Sequence, residues 1–247
     1  MKGLGPGSID MILVDLPYGL TKNKWDIVVP FEAMWAEFRR VAKPTAAIVL
    51  FANNPFGAQL VASNLKDYRY SLVWEKNKFS DFLNAKRKPM KIHEDIHIFY
   101  RRQPTYTPQY EKGIPYERWN SVDSVAKQTN YGKHAENHVV NTAGTRLPTT
   151  VLKFNRVERP EHPTQKPVDL LQWLIKTYTA PGATVLDCCM GSGSTGVAAA
   201  TTERAFIGIE LNEAYFKICQ RRLAGSEHAP TPLQEAVASP VPASLPA

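Results

Sequence analysis

The segment that most constrains the fold is an apolar stretch that ends in a carboxylate and runs directly into a glycine-rich turn. It reads Thr184-Val-Leu-Asp187-Cys-Cys-Met-Gly191-Ser192-Gly193-Ser-Thr195. This order predicts a strand at Ala183–Asp187, a turn whose glycines let the backbone approach a ligand, and a helix at Thr195–Thr202. Because open α/β sheets bind ligands at the carboxyl ends of their strands, the segment predicts an α/β fold with a ligand site after Asp187.

A second acidic strand end follows at Glu210, 23 residues after Asp187. The predicted strand is Ala205–Glu210, and Asn212 is placed to cap a helix that runs to Leu223. An acid at this place commonly accepts hydrogen bonds from ribose hydroxyls. The spacing indicates a nucleoside-containing cofactor and departs from the dinucleotide fingerprint. A tight turn that holds no ligand is the alternative.

A third strand end, after Ile9–Val14, carries the residues Asp15-Leu16-Pro17-Tyr18. The proline stiffens the turn and leaves the preceding carbonyl as a fixed acceptor. The Asp15 carboxylate and the Leu16 carbonyl can accept both N–H groups of an amine on a flat heterocycle, while Tyr18 stacks on its ring. Two acceptors would localise the lone pair of the amine and make it a better nucleophile. An ordinary proline turn is the alternative.

The other segments favour a parallel-rich sheet with one long insert. Helices are predicted at Phe31–Val41, Pro55–Asn64 and Val168–Thr177, and strands at Ala46–Phe51, Tyr70–Trp74 and Ile96–Tyr100. Residues 101–160 have no sustained period and contain ten Lys/Arg against five Asp/Glu. An irregular stretch of that length is unusual unless it is functional, so it predicts an inserted recognition region.

The charge of the chain points to a polyanionic partner. The formal net charge is +7, and Lys and Arg that meet phosphates release condensed counterions. The stretch Lys76–Lys91 contains six Lys/Arg and one Asp with Phe79 and Phe82 between them, and is either a phosphate-gripping loop near a base pocket or a solvated basic face. His93-Glu94 is equally a structural or an active pair.

No apolar run in the sequence is long enough to span a membrane, and the first residues do not have the pattern of a secretory signal. Three cysteines show neither disulfide nor zinc spacing. We therefore expect a cytoplasmic protein with no membrane association.

Together these segments resemble the beta class of amino-group (N6-adenine/N4-cytosine) DNA methyltransferases, particularly members carried by bacteriophages and prophages. Asp15 to Tyr18 is similar to their Asp-Pro-Pro-Tyr signature, and His162-Pro-Thr-Gln165-Lys166-Pro167 to their cofactor-flanking motif. Asp187 to Gly196 is similar to their S-adenosylmethionine loop. The resemblance covers residues 8–222 and includes the order of the motifs. It implies a Rossmann-like S-adenosylmethionine-dependent methyltransferase fold with a mostly parallel seven-stranded sheet.

The resemblance implies two groups of site residues and no metal. The catalytic and base-binding group is Asp15, Leu16, Pro17 and Tyr18. The cofactor-binding group is His162, Gln165, Lys166, Pro167, Asp187, Gly191, Ser192, Gly193, Thr195, Glu210 and Asn212. His134 and His138 have a spacing that could bind metal on a helix, but no third ligand is near them.

The implied organisation is a catalytic part at residues 1–100, an inserted target-recognition region at 101–160 and a cofactor-binding part at 161–222. Composition predicts a disordered tail at residues 223–247, which are rich in Ala, Pro and Ser.

The implied activity is site-specific methylation of adenine N6 in double-stranded DNA, with the target base flipped out and the methyl group transferred directly from S-adenosylmethionine. Adenine is favoured because cytosine-N4 members more often carry Ser in the place of Asp15. The alternatives are a cytosine-N4 enzyme, an enzyme acting on RNA or protein glutamine, and a DNA-binding homologue without activity. A homodimer is a further option, and a bacterial or phage-infected cell, with restriction-modification as one role, is the expected setting.

Two departures from the family pattern bear on these expectations. Leu16 replaces the first proline of the signature, which we expect to matter little because only its carbonyl is used. Relatives usually carry a Gly-Asp strand before the segment that matches Ser8–Asp10, and the printed sequence begins after that place. Either the cofactor pocket is open on that side, or the natural chain starts further upstream, and the affinity for S-adenosylmethionine depends on which of the two holds.

Overall fold

The structure is a computed structural model that describes residues 1–20, 26–120 and 137–225. The chain divides into two compact units. The first consists of Met1–Thr107 and Thr150–Ala247, and the second of Pro108–Thr149.

The elements of the described chain are eleven strands, five α-helices and a 3₁₀ turn at Phe82–Asn84. In chain order the strands are β1 (Ile9–Asp15), β2 (Ala42–Ala52), β3 (Tyr68–Ser80), β4 (Lys91–Phe99), β5 (Glu111–Lys112), β6 (Tyr116–Asn120), β7 (Asn137–Asn141), β8 (Thr145–Arg146), β9 (Val151–Lys153), β10 (Thr184–Asp187) and β11 (Ala205–Gly208). The helices are α1 (Phe31–Val41), α2 (Phe56–Ala62), α3 (Val168–Tyr178), α4 (Ser194–Ala200) and α5 (Glu213–Ala224).

The first unit is built on a seven-stranded sheet with the order β11-β10-β1-β2-β4-β3-β9. Strand β1 pairs in parallel with β2 and β10, β10 with β11, and β3 with β9. Strand β4 is antiparallel to both of its neighbours, β2 and β3. The predicted α/β fold with a mostly parallel seven-stranded sheet is confirmed.

Strand β1 is buried on both faces, because successive side chains of a strand point to opposite sides of the sheet. Met11 and Leu13 belong to the core cluster that includes the buried side chains of α3. Ile12 and Val14 belong to the cluster that includes those of α1. A parallel strand covered on both faces reads as a continuous apolar run, which is why β1 was visible in the sequence.

The predicted alternation of strands and helices does not hold between β3 and β4. These strands form an antiparallel hairpin whose last pair is Ser80 with Lys91, and the segment between them contains only the 3₁₀ turn. Strand β3 is also longer than the predicted Tyr70–Trp74, since it continues past Trp74 into half-exposed and exposed residues. Strand β9 was not predicted, because three residues are too few to show a period.

The second unit contains two antiparallel pairs, β5 with β8 and β6 with β7. The Trp119 ring stacks on the His138 ring at 3.9 Å between centroids, and His138 Nε2 lies 2.7 Å from Glu117 Oε1. His138 therefore lies in strand β7, whereas binding a metal together with His134 would require both residues on one helix. His134 lies outside the described residues. The second unit, Pro108–Thr149, covers fewer residues than the predicted insert at 101–160. The recognition role of that insert stays a prediction.

Helix α5 continues to Ala224, so the predicted start of the tail at residue 223 is wrong by two residues. Residues 226–247, the remainder of the predicted disordered tail, lie outside the described residues. Within the described ranges, the helices are all too short or too polar to cross a membrane.

Candidate active site

The carboxyl ends of β1 and β10 border one cavity of about 780 Å³, a size that suits a small-molecule ligand. Met11 pairs with Val185 and Ile12 with Leu186, so Asp15 and Asp187 end neighbouring parallel strands at the same edge of the sheet. Thirteen of the fifteen predicted site residues line this cavity: Asp15, Leu16, Pro17, Tyr18, His162, Gln165, Lys166, Asp187, Gly191, Ser192, Thr195, Glu210 and Asn212.

The two other predicted cofactor residues, Pro167 and Gly193, shape the backbone around the cavity without lining it. Pro167 is buried and stands at the N-cap of α3. Gly193 has a φ of +76° and precedes α4, and a Cβ at this position would collide with Cys219. This geometry differs from the direct cofactor contact that the family motif implied for them.

Two side chains hold the Asp15 carboxylate. The Tyr18 hydroxyl donates to Oδ1, and the Lys166 ammonium donates to Oδ2. The Tyr18 ring lies against Phe56 of α2, with 5.1 Å between ring centroids. Each carboxylate oxygen has two lone pairs, so Asp15 keeps the capacity to accept a further N–H bond from a ligand.

Lys166 is shared with a second carboxylate, that of Glu94 on β4. Its ammonium lies 3.3 Å from Glu94 Oε2, and Lys76 lies 2.5 Å from Glu94 Oε1. Each of these three side chains is at most 12% exposed. Two carboxylates and two ammonium groups balance in charge, which is the condition under which buried ions persist. The cluster is named here the Asp15–Lys166–Glu94–Lys76 network.

The network moves the pKa values of its two carboxyls in opposite directions. Burial raises the pKa of Asp15, with Lys166 acting against it and Glu94 adding to it. Burial also acts to raise the pKa of Glu94, but Lys166 and Lys76 together outweigh it and the pKa is lowered. The difference arises because both carboxylates contact Lys166 whereas only Glu94 has a second ammonium. Burial would lower the pKa of Lys166, but the two carboxylates raise it.

Sequence reasoning missed most of this network. Glu94 had been paired with His93, yet the structure buries Glu94 and exposes His93, as expected for neighbours on a strand. Asp26 was also missed: it is buried, lines the cavity and accepts the N–H groups of Gly19 and Leu20 at 2.8 and 2.9 Å. It thereby fixes the turn after Tyr18. No local sequence signal marks either residue.

Asp187 is satisfied by its own loop. Its Oδ2 accepts the Thr195 hydroxyl at 2.6 Å and its Oδ1 accepts the Cys189 N–H at 3.0 Å. Burial raises the pKa of Asp187 to about 7, although both hydrogen bonds act to lower it. Cys189 lines the cavity and is half-buried, and the Cys188 thiol and burial raise its pKa.

Glu210 follows β11 and joins two turns at the cavity. Its Oε2 accepts the N–H of Gly191 at 2.9 Å and its Oε1 accepts that of Asn212 at 2.8 Å. Gly191 has a φ of +51°, a conformation that favours glycine. Asn212 caps α5 as predicted, its side chain accepting from Ala214 and Tyr215 at 3.0 and 3.2 Å. The Glu210 carboxylate is therefore held in a fixed orientation beside the cavity.

The His162–Pro167 segment faces this loop. The ring of His162 packs edge-on against Tyr215 at 4.3 Å, and Gln165 accepts the N–H of Glu161 at 2.8 Å. Ser192 is buried, and its carbonyl accepts a hydrogen bond from Arg222 of α5 at 2.7 Å. The segment and the loop form one wall of the cavity. This wall is distant from the Asp15 turn in sequence, but Lys166 connects the two through its bond to Asp15.

A model of the DNA methylase family, N6_N4_Mtase, matches residues 9–221. The chain belongs to this family. The Escherichia coli (strain K12) DNA adenine methyltransferase YhdJ is 30% identical over 246 residues, which cover 92% of this chain and 80% of that protein. The protein is accordingly an S-adenosylmethionine-dependent DNA methyltransferase of the amino-group type. The predicted family is confirmed, while membership of a phage or prophage group stays a prediction.

Solved structures agree on the fold of this methyltransferase. The M1.HpyAVI–SAM complex matches with a TM-score of 0.60 and 23% identity, over 90% of each chain. The PvuII DNA methyltransferase, described as cytosine-N4-specific, matches with a TM-score of 0.62 and 14% identity, over 90% of this chain and 81% of that one. Both neighbours are less than 25% identical to this chain, so their likeness shows the fold alone.

The cavity of the methyltransferase fits S-adenosylmethionine in its chemistry. That cofactor combines a nucleoside, a cationic sulfonium and an amino acid, and its ribose hydroxyls need acceptors. The Glu210 carboxylate beside the glycine turn is an acceptor of this kind. The predicted cofactor is thus matched by the residues present.

Proposed function

We propose that this protein methylates the N6 amino group of adenine in double-stranded DNA, with Asp15, Leu16 and Tyr18 forming the base site. The observation that carries the proposal is the Asp15 carboxylate, held by Tyr18 and Lys166 in the cavity that also contains the glycine-rich loop. A base amino group placed there would meet a fixed acceptor and the cofactor at once.

The base site would act by electrostatics on the amino nitrogen. In this proposal Asp15 accepts one N–H bond and the Leu16 carbonyl the other, which draws the nitrogen lone pair away from the ring. Pro17 fixes the turn that carries both acceptors, and the Tyr18 ring, braced by Phe56, offers a stacking face. When bound, S-adenosylmethionine would supply an electrophilic methyl group. Asp15 would accept the proton that the amino nitrogen loses in exchange for the methyl group.

We assign the cofactor site to the wall formed by the glycine-rich loop and the His162–Pro167 segment. Glu210 would accept the ribose hydroxyls with the lone pairs that Gly191 and Asn212 leave open. His162, Gln165 and Lys166 would border the methionine end, and Asp187 and Thr195 would keep the loop in shape. Gly191 and Ser192 contribute backbone to the same wall.

Adenine is favoured over cytosine by two considerations. YhdJ, at 30% identity over most of the chain, is named as an adenine methyltransferase. Asp at position 15 is the residue that the family resemblance associates with adenine. The PvuII enzyme acts on cytosine N4 but is 14% identical, so its likeness extends to the fold alone.

The DNA substrate requires that the target base leave the helix, because a cavity at the end of a sheet cannot reach an amino group inside the base stack. Flipping costs roughly a few kcal/mol, which contacts to the rest of the duplex must offset. We propose residues 101–160 as the region that reads the target sequence, and we keep a homodimer as a possibility that sedimentation would decide.

The proposal is tested by incubating the protein with labelled S-adenosylmethionine and unmethylated DNA, followed by mass spectrometry of the nucleosides. We expect N6-methyladenine, and none with Asp15→Ala. N4-methylcytosine would overturn the base assignment but keep the class. DNA binding with neither cofactor binding by calorimetry nor transfer to either base would favour the inactive DNA-binding homologue.

A further inference from the structure

The hairpin of β3 and β4 ends in a tip that exposes large apolar side chains. Phe82 is 68% exposed and Leu83 is 85% exposed, and both belong to the 3₁₀ turn. Phe79, Met90 and Ile92 of the same hairpin are 41–51% exposed. Single exposed apolar residues are ordinary, but several within 14 residues form a patch that usually has a partner. We name residues 81–90 the hairpin tip.

The hairpin tip begins at the wall of the active-site cavity. Ser80 lines the cavity and pairs with Lys91, closing the stem of the tip on both sides. The Lys91 ammonium donates to Asn53 Oδ1 at 2.5 Å, and Asn53 also lines the cavity. Phe82 is therefore only two residues from Ser80 in the cavity wall. The tip is attached to the wall of the cavity that the proposed function assigns to the base.

The hairpin tip is a preformed projection. Asp81 has a φ of 67°, and its carbonyl accepts the N–H of Asn84 at 3.0 Å. The Asn84 carbonyl accepts the N–H groups of Arg87 and Lys88 at 2.8 and 3.1 Å, and Lys88 pairs with Asp81. These bonds order the backbone without burying Phe82 or Leu83, so the apolar pair costs little conformational entropy when it meets a partner.

Basic side chains flank the apolar pair. Lys86, Arg87 and Lys88 follow it after two intervening residues and are exposed, and Lys78 precedes it on β3. Apolar side chains beside a row of cations suit a partner whose interior is apolar and whose edge is anionic. Duplex DNA has both features, in its base stack and its phosphates, and is the substrate class of this family.

We propose that Phe82 and Leu83 enter the base stack of duplex DNA next to the flipped base, while Lys86 and Arg87 contact the flanking phosphates. Removing one base from the stack leaves a gap, and apolar wedges are the side chains that proteins insert at such steps. The wedge would stabilise the flipped state and would have no role on a strand that is already open. This inference rests on the proposed function, because it assumes that a base is flipped from a duplex.

The test compares Phe82→Ala/Leu83→Ala with the unsubstituted protein on the same DNA in duplex and strand-separated form, with enzyme in excess of DNA. Because base–aromatic stacking is lost, we expect methyl transfer to the duplex to slow by about tenfold or more, and transfer to separated strands to stay within about twofold. Leu65→Ala is the matched control, since Leu65 is 67% exposed and precedes β3 at the end opposite the hairpin tip. It should change neither rate.

Transfer to duplex DNA within twofold of the unsubstituted rate, or an equal loss on both forms of DNA, would overturn the wedge. A measurement independent of transfer uses Phe82→Trp, whose added emission should be quenched by unmethylated duplex DNA, while that of Leu65→Trp should not. Unquenched emission at the tip on DNA that the protein binds would also overturn the wedge. Failure of the unsubstituted protein to methylate any DNA would instead count against the proposed function.

Discussion

Asp15 and Asp187 end neighbouring parallel strands at the same edge of one sheet, yet their carboxylates are held in different ways. Asp187 accepts from Thr195 and from the Cys189 backbone, all within eight residues. Asp15 accepts from Tyr18 nearby and from Lys166, which lies 151 residues away. Through Lys166 it is tied to Glu94 and Lys76 on two further strands.

The two strand ends have different roles. A carboxylate bonded within its own loop fixes the shape of that loop, and its neighbours change little when other elements move. A carboxylate held by charges from three other segments has a proton affinity that those segments set. We infer that the Asp187 end is structural for the cofactor loop, and that the Asp15 end is tuned for the reaction.

Among the partners of the two carboxylates, the largest expected effect comes from Lys166→Ala. Lys166 acts to lower the pKa of Asp15, so its loss raises that pKa further and favours the protonated carboxyl, which is a poorer acceptor for the amino group. We expect methyl transfer at pH 7 to fall by about 1,000-fold and to recover in part as the pH rises. The measurement is the single-turnover rate against pH, with Lys43→Ala, which removes the partner of Asp10 at the other end of β1, as control. A rate at pH 7 within tenfold of the unsubstituted protein would show that Lys166 does not set the proton affinity of Asp15.

Asp187→Asn tests the structural strand end. The folded pKa of Asp187 is about 7 and the unfolded value is about 4, so the folded protein holds a proton that the unfolded chain has released. Stability is therefore lost as the pH rises from about 4 to about 7. We expect the unfolding free energy, measured in urea at pH 5 and pH 8, to fall less for the variant than for the unsubstituted protein. Parallel changes in both proteins would contradict the assignment.

The local contacts of the site could be predicted from the sequence, whereas its long-range contacts could not. The glycine turn, Thr195, Glu210 and the Asn212 cap are local patterns, and the structure places them at one cavity as the spacing predicted. The family motif placed Lys166 beside the cofactor, but its contact with Asp15 and the partners Glu94 and Lys76 came from neither source. They meet because β3 and β4 form an antiparallel hairpin where alternation had predicted a parallel arrangement. Long-range pairing of this kind leaves no periodic signal in the chain.

Glu94→Gln tests whether the charge of Glu94 acts on the pKa of Asp15. The charge of Glu94 acts to raise the pKa of Asp15, and its removal also leaves the cations of Lys166 and Lys76 uncompensated. Besides burial, the groups acting on the pKa of Asp15 are Lys166, Glu94 and Tyr18, and Asp15 in turn raises the pKa of Asp187. We expect the acid limb of the pH–rate profile to move to lower pH. A shift of the limb to higher pH would contradict this expectation. An unmoved limb with a uniformly lower rate would assign Glu94 a role in folding only.

The smallest effects come from removing one hydroxyl at each strand end. Tyr18→Phe keeps the ring and deletes the bond to Asp15, and we expect transfer to fall by about 3- to 10-fold with unchanged thermal stability. Thr195→Val deletes the bond to Asp187, and we expect a loss of about 1 kcal/mol in unfolding free energy with a smaller change in the rate. The reverse pattern, with stability lost at Tyr18 and rate lost at Thr195, would exchange the roles of the two ends.

The central claim is that the Asp15 carboxylate accepts the amino group of the base and is not needed to hold the cofactor. The most direct measurement is a pair of values for Asp15→Asn, the Kd of S-adenosylmethionine by calorimetry and the single-turnover rate of methyl transfer, with Asp10→Asn as the matched control on β1. We predict a Kd within about threefold of the unsubstituted protein and a rate reduced by about 1,000-fold or more. Transfer within tenfold of the unsubstituted rate would contradict the account.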